Sequence, residues 1–176
     1  MKKVIVSLFI FLTYTVFSQQ RSYHEDVKEY FDLNGTTQQY SNAVDQMYEL
    51  LRNQLQHQVP AAIWEELQRE KNTTLGNVKS LLTQVYKEHF SHQEIKELLA
   101  FYKSETGKQF RKNPDGLSRK QNKRYERFLA SDVGQKVKAQ SQSLKKAVGE
   151  ASELWSRDLY RETVKKLKAK GYSFSQ

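Results

Sequence analysis

A ten-residue pattern that occurs twice decides how this chain folds. Residues 101–110 read FYKSETGKQF, and residues 128–137 read FLASDVGQKV. In each copy an aromatic residue stands three positions before a Ser, an acidic residue follows that Ser directly, and a Gly lies three positions after it. A Ser hydroxyl can accept hydrogen bonds from the unpaired N–H groups that begin a helix, and an acid in the first turn favours the helix dipole. The pattern therefore predicts the same helix-to-helix corner made twice.

The serines of these corners, Ser104 and Ser131, are expected to be helix N-caps rather than nucleophiles. Gly107 and Gly134 lack a Cβ, so each lets a neighbouring backbone come close. A serine nucleophile needs a base beside it, and no His lies within several residues of either Ser. The repeated pattern therefore predicts architecture and assigns no catalytic residue.

The first corner belongs to a longer segment with a recognisable pattern. Ser91 and Glu94 form a capping box ahead of an apolar run, which is typical of a helix start. Residues 85–110, VYKEHFSHQEIKELLAFYKSETGKQF, resemble the exported bacterial family called domain of unknown function 2059, and the resemblance covers roughly residues 82–137. That family often has Pro where this chain has Glu105. The resemblance implies an all-helical exported protein and implies no known activity.

The first eighteen residues are expected to be a secretory signal peptide, cleaved before Gln19. Lys2 and Lys3 form a basic start, and Val4–Phe17 is a mostly apolar run of 14 residues, shorter than the roughly 20 residues that span a bilayer. The alternative is an uncleaved membrane anchor. The sequence after residue 18 holds no second apolar run of this kind. We therefore expect a periplasmic or secreted protein.

Charge is distributed unevenly along the chain. Residues 19–100 hold 8 basic and 12 acidic residues, a net charge of −4, whereas residues 101–176 hold 19 basic and 8 acidic residues, a net charge of +11. Such asymmetry predicts either an anionic partner or charge pairing between the two halves. For an exported protein, anionic envelope glycolipid, a membrane surface or an acidic protein is a better partner than nucleic acid. The chain has no Cys, which rules out disulfides, a lipoprotein anchor and thiolate chemistry.

The basic residues of the second half are concentrated in one stretch, RKQNKRYERF, at residues 119–128. A helix through this stretch places its aromatic residues on the opposite face, toward the core, together with Leu129. Such a basic stripe can bind phosphates or carboxylates, and the alternative is an ordinary solvated helix face. The residues of the stripe are Arg119, Lys120, Lys123, Arg124 and Arg127.

The sequence predicts an all-α domain over residues 19–171 with five to seven helices. Apolar residues follow helical spacing, and no useful stretch alternates as a strand does. The first helix is expected to end at Asn34-Gly35, where Gly can take the left-handed conformation. The second, third and fourth helices are expected to begin at Thr36 or Thr37, at Pro60, and at Asn72 or Thr73.

Helical spacing also predicts the faces that pack in the core. From Ser131 a rough apolar stripe continues to about Lys170, which predicts one long C-terminal helix ended by Gly171 and followed by a tail at residues 172–176. Gly134 and Gly149 weaken this helix by about 1 kcal/mol each relative to Ala. In the second helix the predicted buried positions are Tyr40, Ala43, Val44, Met47, Leu51 and Leu55.

The histidines and paired carboxylates predict no metal site, cofactor site or catalytic residue. His89 and His92 lie on either side of the Ser91 cap, so they do not share a helical face as a metal-binding pair would. Glu65 and Glu66 are adjacent on a helix, so their side chains point in different directions and cannot flank one substrate bond. The remaining histidines are His24 and His57.

We expect a non-enzymatic exported protein that binds an anionic envelope component or a protein partner. The alternatives are an envelope-associated hydrolase and an assembly factor that acts through helix–helix contacts. A cleft containing His92 or paired carboxylates would favour the hydrolase. A positive patch would favour the anion binder, and an exposed apolar groove would favour the assembly factor.

Overall fold

The structure is a computed structural model that describes residues 21–55 and 58–172. The predicted signal peptide, His57 and residues 173–176 of the predicted tail lie outside the described residues. The all-α class and the long C-terminal helix are confirmed, and these two ranges contain no strand. The elements are α1 (Tyr23–Asn34), α2 (Thr36–Gln54), α3 (Ala61–Arg69), α4 (Lys71–His89), α5 (His92–Lys103), α6 (Glu105–Lys112), a 3₁₀ turn (Pro114–Gly116), α7 (Arg119–Ala130) and α8 (Asp132–Ala169).

A single residue, Gly35, separates α1 from α2. Its φ of 94° lies in the left-handed region, which Gly adopts without the steric cost of a Cβ. The predicted break is confirmed, but the prediction that Thr36 or Thr37 caps α2 is wrong. Because only one residue separates the helices, the last residue of α1 is within reach, and the Asn34 side-chain oxygen accepts a hydrogen bond from the Thr36 N–H at 2.9 Å.

Only Glu70 separates α3 from α4. Glu70 keeps helical dihedral angles, with φ at −81° and ψ at −9°, so the backbone stays in the helical region through the junction. Asn72 and Thr73 therefore lie inside the first turn of α4, and the prediction that either caps it is wrong. Pro60 lies at the N-cap of α3, one position before the predicted first turn. If α3 and α4 are counted as one broken helix, the number of α-helices in the described residues is seven, within the predicted range.

Two clusters of buried side chains hold the helices together. The first lies between α1, α4, α5 and the N-terminal part of α8, and it includes Val27, Phe31, Leu82, Ile95 and Val133. The second lies between α2, α3 and the C-terminal end of α8, and it includes Val44, Leu51, Trp64 and Leu167. Burying one such side chain contributes about 1.5–3 kcal/mol. Leu75 and Trp155 pack against both clusters and so connect them.

The long helix α8 runs beside both clusters. Its 38 residues extend about 57 Å at 1.5 Å per residue. Gly149 does not interrupt it, and Gly171 follows the helix with a φ of 91°, at the predicted end. No helix in the described ranges is long and apolar enough to cross a membrane.

Two predicted core positions are wrong. Ala43 of α2 is exposed, and Tyr48 is buried instead. The reason is that the buried face of α2 turns toward α3. There the ring centroids of Tyr48 and Trp64 lie 6.5 Å apart. Leu129 of α7 is 42% exposed. The aromatic side chains of α7 face the body of the protein, and Leu129 lies beside them on the solvent side.

Candidate functional site

The first copy of the repeated pattern forms a tight corner between α5 and α6. Ser104 is the N-cap of α6, and its Oγ accepts a hydrogen bond from the Gly107 N–H at 3.1 Å. The same hydroxyl donates to the Phe101 carbonyl oxygen at 2.6 Å. A Cβ placed on Gly107 would overlap this carbonyl oxygen, so only Gly fits at that position. The Ser104 hydroxyl is therefore committed to the backbone of the corner.

The second copy forms the same corner between α7 and α8. The Ser131 hydroxyl accepts a hydrogen bond from the Gly134 N–H at 3.3 Å and donates to the Phe128 carbonyl oxygen at 2.6 Å. A Cβ on Gly134 would overlap the Phe128 carbonyl oxygen. The two corners therefore share their hydrogen bonds, their close backbone approach and their need for Gly.

The two corners pack against each other through aromatic rings. Phe101 and Phe128 stack with centroids 4.0 Å apart, and Phe110 and Tyr125 stack at 4.6 Å. These rings hold α7 against α5 and α6. The start of α7 is fixed by a capping box that sequence inspection overlooked, in which Ser118 and Gln121 bond to each other's backbone N–H groups.

The remaining predicted corner, Ser91 with Glu94, begins α5. The Ser91 Oγ accepts a hydrogen bond from the Glu94 N–H at 3.3 Å, and a Glu94 carboxylate oxygen accepts one from the Ser91 N–H at 2.7 Å. Lys136 of α8 donates to both oxygens of Glu94 at 2.8 Å. Burial acts to raise the pKa of Glu94, but the hydrogen bonds from Lys136 and Ser91 hold that pKa below its ordinary value. This pair ties the start of α5 to α8.

Ion pairs join the acidic and basic halves of the chain, as one reading of the charge asymmetry predicts. They use basic residues of α5, of α8 and of the segment that follows α8, and each basic residue contacts an acid of the first hundred residues. The pairs are Lys103 with Glu29, Lys136 with Glu94, Lys166 with Glu70, and Lys170 with Glu66. The basic stripe on α7 takes no part in them.

The basic face of α7 consists of Arg119, Lys120, Lys123, Arg124 and Arg127, and all five side chains are exposed. Within residues 21–55 and 58–172, none of the five lies within 4.0 Å of a carboxylate oxygen. The Arg127 Nε donates a hydrogen bond to the Lys123 carbonyl oxygen at 3.4 Å, along the helix. Five positive charges are therefore presented to solvent on one helix.

Beside the basic face lies a cavity of about 450 Å³ where the two corners meet, here called the corner pocket. Two guanidinium groups of α7 stand at its edge, and the N-caps of α6 and α8 both line it. The positive ends of the α6 and α8 dipoles are offset by acids in their first turns, Glu105 and Asp132, and Glu97 adds a third acid to the lining. Its lining includes Phe101, Ser104, Thr106, Arg124, Arg127 and Ser131.

Two further residues of the corner pocket escaped the sequence prediction. Thr106 is only 1% exposed, and its Oγ1 has no hydrogen-bond partner among the described residues. Glu97 of α5 brings one carboxylate to the lining, where it accepts a hydrogen bond from the Gln93 side chain at 3.2 Å. Neither residue carries a sequence signal, since their roles depend on how α5, α6 and α7 pack.

The histidines take structural positions. The His92 Nε2 lies 2.7 Å from an Asp26 carboxylate oxygen, which joins α5 to α1, and His89 bonds to the Gln140 side chain at 3.1 Å. His24 lies 3.5 Å from the Ser80 hydroxyl. His89 and His92 are partly exposed polar side chains that join α4 to α8 and α5 to α1. In the part of the chain that the structure describes, no three His, Cys, Asp or Glu side chains form a group that could hold a metal ion.

The adjacent glutamates of α3 are separated as predicted by their helical positions. Glu65 is exposed, whereas Glu66 accepts a hydrogen bond from the Lys170 Nζ at 2.9 Å. Trp64 beside them is buried, with the guanidinium carbon of Arg52 5.3 Å from its ring centroid. These side chains connect α2, α3 and the end of α8.

A second concave region, the α4–α8 groove, has a volume of about 650 Å³. Its floor is apolar and includes Leu67, Trp155 and Leu154, the last of which is 47% exposed. Three carboxylates line its rim, and one of them is paired with Lys166. The groove has an apolar floor and an edge of mixed charge, where Lys166 pairs with one carboxylate and Arg161 lies within 4.0 Å of the other two. The rim carboxylates are those of Glu70, Asp158 and Glu162.

Comparison with known proteins finds a family model that matches the part of the chain around the first corner. Residues 77–123 match the family model of an uncharacterized protein conserved in bacteria (DUF2059). The match confirms the resemblance to DUF2059 seen in the sequence. It runs from α4 to the first residues of α7, so the DUF2059 match includes Ser91, Ser104 and Gly107 but not the second corner. No curated protein and no solved structure matches the chain.

Proposed function

We propose that this chain is an exported helical protein that binds an anionic component of the cell envelope through the basic face of α7, without catalysing a reaction. The observation that supports this proposal is that five exposed basic side chains, none with a carboxylate partner among the described residues, lie together on one helix. Other basic residues of the second half, such as Lys136 and Lys170, pair with acids of the first half. The five on α7 stay exposed to solvent. Internal ion pairing therefore does not account for them.

Charge on one exposed helix face is well suited to an anionic surface. Each Lys or Arg held near an anionic membrane contributes about 1 kcal/mol to binding, and the contribution falls within a screening length. Arginine adds bidentate hydrogen bonds to phosphate and carboxylate oxygens, and three of the five residues on the face are Arg. The aromatic stacking of Phe110 with Tyr125 keeps α7 in place beneath its charges.

A vesicle retention experiment tests the proposal. Purified protein is mixed with neutral vesicles or with vesicles that contain phosphatidylglycerol, and the retained fraction is measured at low and at physiological salt. We expect retention on the anionic vesicles only, decreasing as salt shortens the screening length to about 8 Å. Lys123→Glu combined with Arg124→Glu should lower retention at least roughly tenfold.

The matched control reverses two exposed lysines near the opposite end of α8, Lys165→Glu with Lys168→Glu. Both double variants change the net charge by the same amount, but only the first changes the basic face. We expect the control to retain most of its binding. Equal losses of retention in the two variants would show that binding depends only on the net charge of the protein. Wild-type retention by the Lys123–Arg124 variant would exclude an anionic partner at this face.

Export is part of the same proposal and has its own test. The basic start and the short apolar run of residues 4–17 support cleavage before Gln19. The intact mass of the protein recovered from its native envelope or medium should correspond to residues 19–176. A mass that includes residues 1–18 would contradict cleavage and support an uncleaved anchor.

A second candidate function is assembly of copies of this chain through helix–helix contacts, which the α4–α8 groove favours. The groove exposes Leu154 beside carboxylates, and a chain with a net charge of +9 offers basic surfaces that complement them. Sedimentation velocity at rising concentration should then show association that Leu154→Asp weakens. A monomer at every concentration would exclude self-assembly.

We do not propose a hydrolase. A cleft lined by His92 or by paired carboxylates would have favoured a hydrolase. It is instead bonded to Asp26, which is 4% exposed and also lies 3.4 Å from the Arg21 side chain. This network supports the contact between α1 and α5.

A further inference from the structure

We propose that an open groove beside the junction of α1 and α2 binds an acidic saccharide, that is, a sugar that carries a carboxylate. The groove, here called the α1–α6 groove, lies where the end of α1 and the start of α2 face the second half of α6, and Tyr102 of α5 also lines it. It shares no residue with the basic face of α7, so this inference goes beyond the proposed function and does not depend on it.

The framework of the groove is formed by helices and by the turn at Gly35. The left-handed conformation of Gly35 sets the direction in which α2 leaves α1, and the bond from the Thr36 N–H to the Asn34 side chain holds that turn. The groove has a volume of about 780 Å³. Pockets that bind small ligands have volumes of roughly 300–1,000 Å³. The α1–α6 groove therefore has the size of a ligand site and rests on a defined framework.

Hydrogen bonds among the polar side chains of the groove leave both acceptors and donors for a ligand. The Gln38 Nε2 donates to the Asn42 Oδ1 at 2.8 Å, which leaves the Gln38 Oε1 and the Asn42 Nδ2 for other partners. The Lys79 Nζ and the Thr37 hydroxyl both donate to the Oδ1 of Asp32, which leaves its Oδ2 as an acceptor. An anion without hydroxyls could use only the donors. A sugar hydroxyl donates and accepts, so it can use both kinds of group.

The charge of the groove favours a sugar with a carboxylate over a neutral sugar. Lys79 neutralises Asp32 at 2.7 Å, and Glu105 neutralises Lys108 at 2.8 Å. The two basic residues in the last turn of α6 are exposed and have no carboxylate partner among the described residues. The carboxyl ends of α1 and α6 each carry about −0.5, and the start of α2 offsets one of them, so the groove keeps a charge of about +1.5. The two unpaired residues are Arg111 and Lys112.

The mixture of amide side chains and unpaired charge favours a saccharide over an acidic peptide. Neighbouring hydroxyls of a sugar ring lie side by side, so one carboxamide can donate to the first and accept from the second. Successive side chains of an extended peptide point to opposite sides, so one side of it offers widely spaced carboxylates and few hydroxyls. Tyr102 adds a partly exposed aromatic ring that can contact the C–H groups of a sugar.

Calorimetric titration of the full chain at physiological salt compares soluble probes. Tetragalacturonate carries hydroxyls and carboxylates, galactotetraose carries hydroxyls alone, and tetraglutamate carries carboxylates without hydroxyls. We expect tetragalacturonate to bind at least roughly tenfold more tightly than either of the others, because only it uses both the amides and the unpaired charges. Galacturonic acid separates the two sources of such a ligand. Binding of the tetramer alone indicates a saccharide chain, and binding of the monomer as well indicates a free sugar acid. Both results support the groove.

Two variants at exposed positions test the groups that recognise hydroxyls and carboxylate, each with a matched control. Gln38→Ala should weaken tetragalacturonate binding about fivefold, the loss of one neutral hydrogen bond. Gln46→Ala, exposed on the same helix but outside the groove, should not. Arg111→Gln should weaken it about tenfold and leave the affinity for galactotetraose unchanged. Its control is Arg69→Gln, because Arg69 also lies in the last turn of a helix and is exposed.

Four results would overturn the acidic-saccharide site. They are equal affinity for tetraglutamate, equal affinity for galactotetraose, equal losses in Gln38→Ala and Gln46→Ala, and no binding of any probe. The variant Lys123→Glu with Arg124→Glu should keep its affinity for tetragalacturonate. Loss of that affinity would place the saccharide on the basic face of α7 and overturn the groove alone. Failure of vesicle retention with intact tetragalacturonate binding would overturn the proposed function and leave the groove.

Discussion

The rings of Phe101 and Phe128 stack with their centroids 4.0 Å apart and their planes inclined by 12°. The two residues hold equivalent positions, since each stands three residues before the Ser that caps the next helix. The stack therefore joins the two copies of the corner to each other. It also holds α7, which has no fully buried residue, against the rest of the protein.

Removing one ring of this stack should loosen α7. Phe128→Ala is expected to lower the free energy of unfolding by about 2 kcal/mol, less than for a fully buried Phe because Phe128 is half-buried. Urea denaturation measures the change. Leu129→Ala, next to it and 42% exposed, is the control and should change stability by less than about 0.5 kcal/mol. Similar losses in both variants would contradict the role given to the stack.

Three glycines should respond differently to the same substitution. Gly107→Ala and Gly134→Ala should each lower the melting temperature, because the new Cβ would overlap the carbonyl oxygens of Phe101 and Phe128. Gly149→Ala should raise it, since that position has nothing within 4 Å and Ala is favoured over Gly in a helix interior by about 1 kcal/mol. A stabilising effect at Gly107 or Gly134 would show that the corners are less closely packed than described.

Loss of a cap should be measurable at the first corner. Ser104→Ala removes the acceptor for the Gly107 N–H and should cost about 1 kcal/mol of folding stability in chemical denaturation. Ser141→Ala is the control, because Ser141 is exposed on α8 and its hydroxyl only bonds to the Lys138 carbonyl oxygen of its own helix. If Ser104→Ala showed no loss beyond the control, the hydroxyl would not be stabilising the corner.

Glu94 should make stability depend on acid pH. Its pKa is held below the ordinary value of 4.5 in the folded state, so its contribution is fully present above about pH 4.5 and is lost as pH falls through the lower folded pKa. Glu94→Gln should therefore lower the melting temperature at pH 7 and differ less from the wild type near pH 3. Glu88→Gln, at an exposed position, is the control. A constant difference at all pH values would contradict the linkage.

The basic face of α7 should be dispensable for folding. Lys123→Glu with Arg124→Glu should leave the free energy of unfolding nearly unchanged, because neither residue has a carboxylate partner among the described residues. Lys136→Ala breaks the pair with Glu94 and should cost up to about 1 kcal/mol. Thermal or urea unfolding compares the two. A marked loss in the double variant would assign the basic face to stability rather than to binding.

Local chemistry explains which features of the fold could be predicted from the sequence. A Ser cap, a capping box or a left-handed Gly acts within about four residues, so the starts of α5, α6 and α8 and the break at Gly35 were predictable. The predicted caps at Thr36 and Asn72 were wrong for a related reason. Those helices are separated by the backbone conformations of Gly35 and Glu70, and neither of these residues caps the next helix with its side chain.

The candidate site could be predicted only in part. The basic face follows from helical spacing within α7, but the corner pocket exists because two segments 27 positions apart meet through Phe101 and Phe128. The burial of Thr106 and the position of Glu97 depend on this meeting. The residue pattern within one helix carries no information about such a long-range contact. The pocket could therefore be found only in the structure.

The helix α8 has a consequence for how the molecule opens. It contributes Val133 to one core cluster and Leu167 to the other, so separation of the whole helix from the protein would expose apolar surface in both. The two ends of the protein should therefore undergo hydrogen exchange as one cooperative unit rather than as independent foldons.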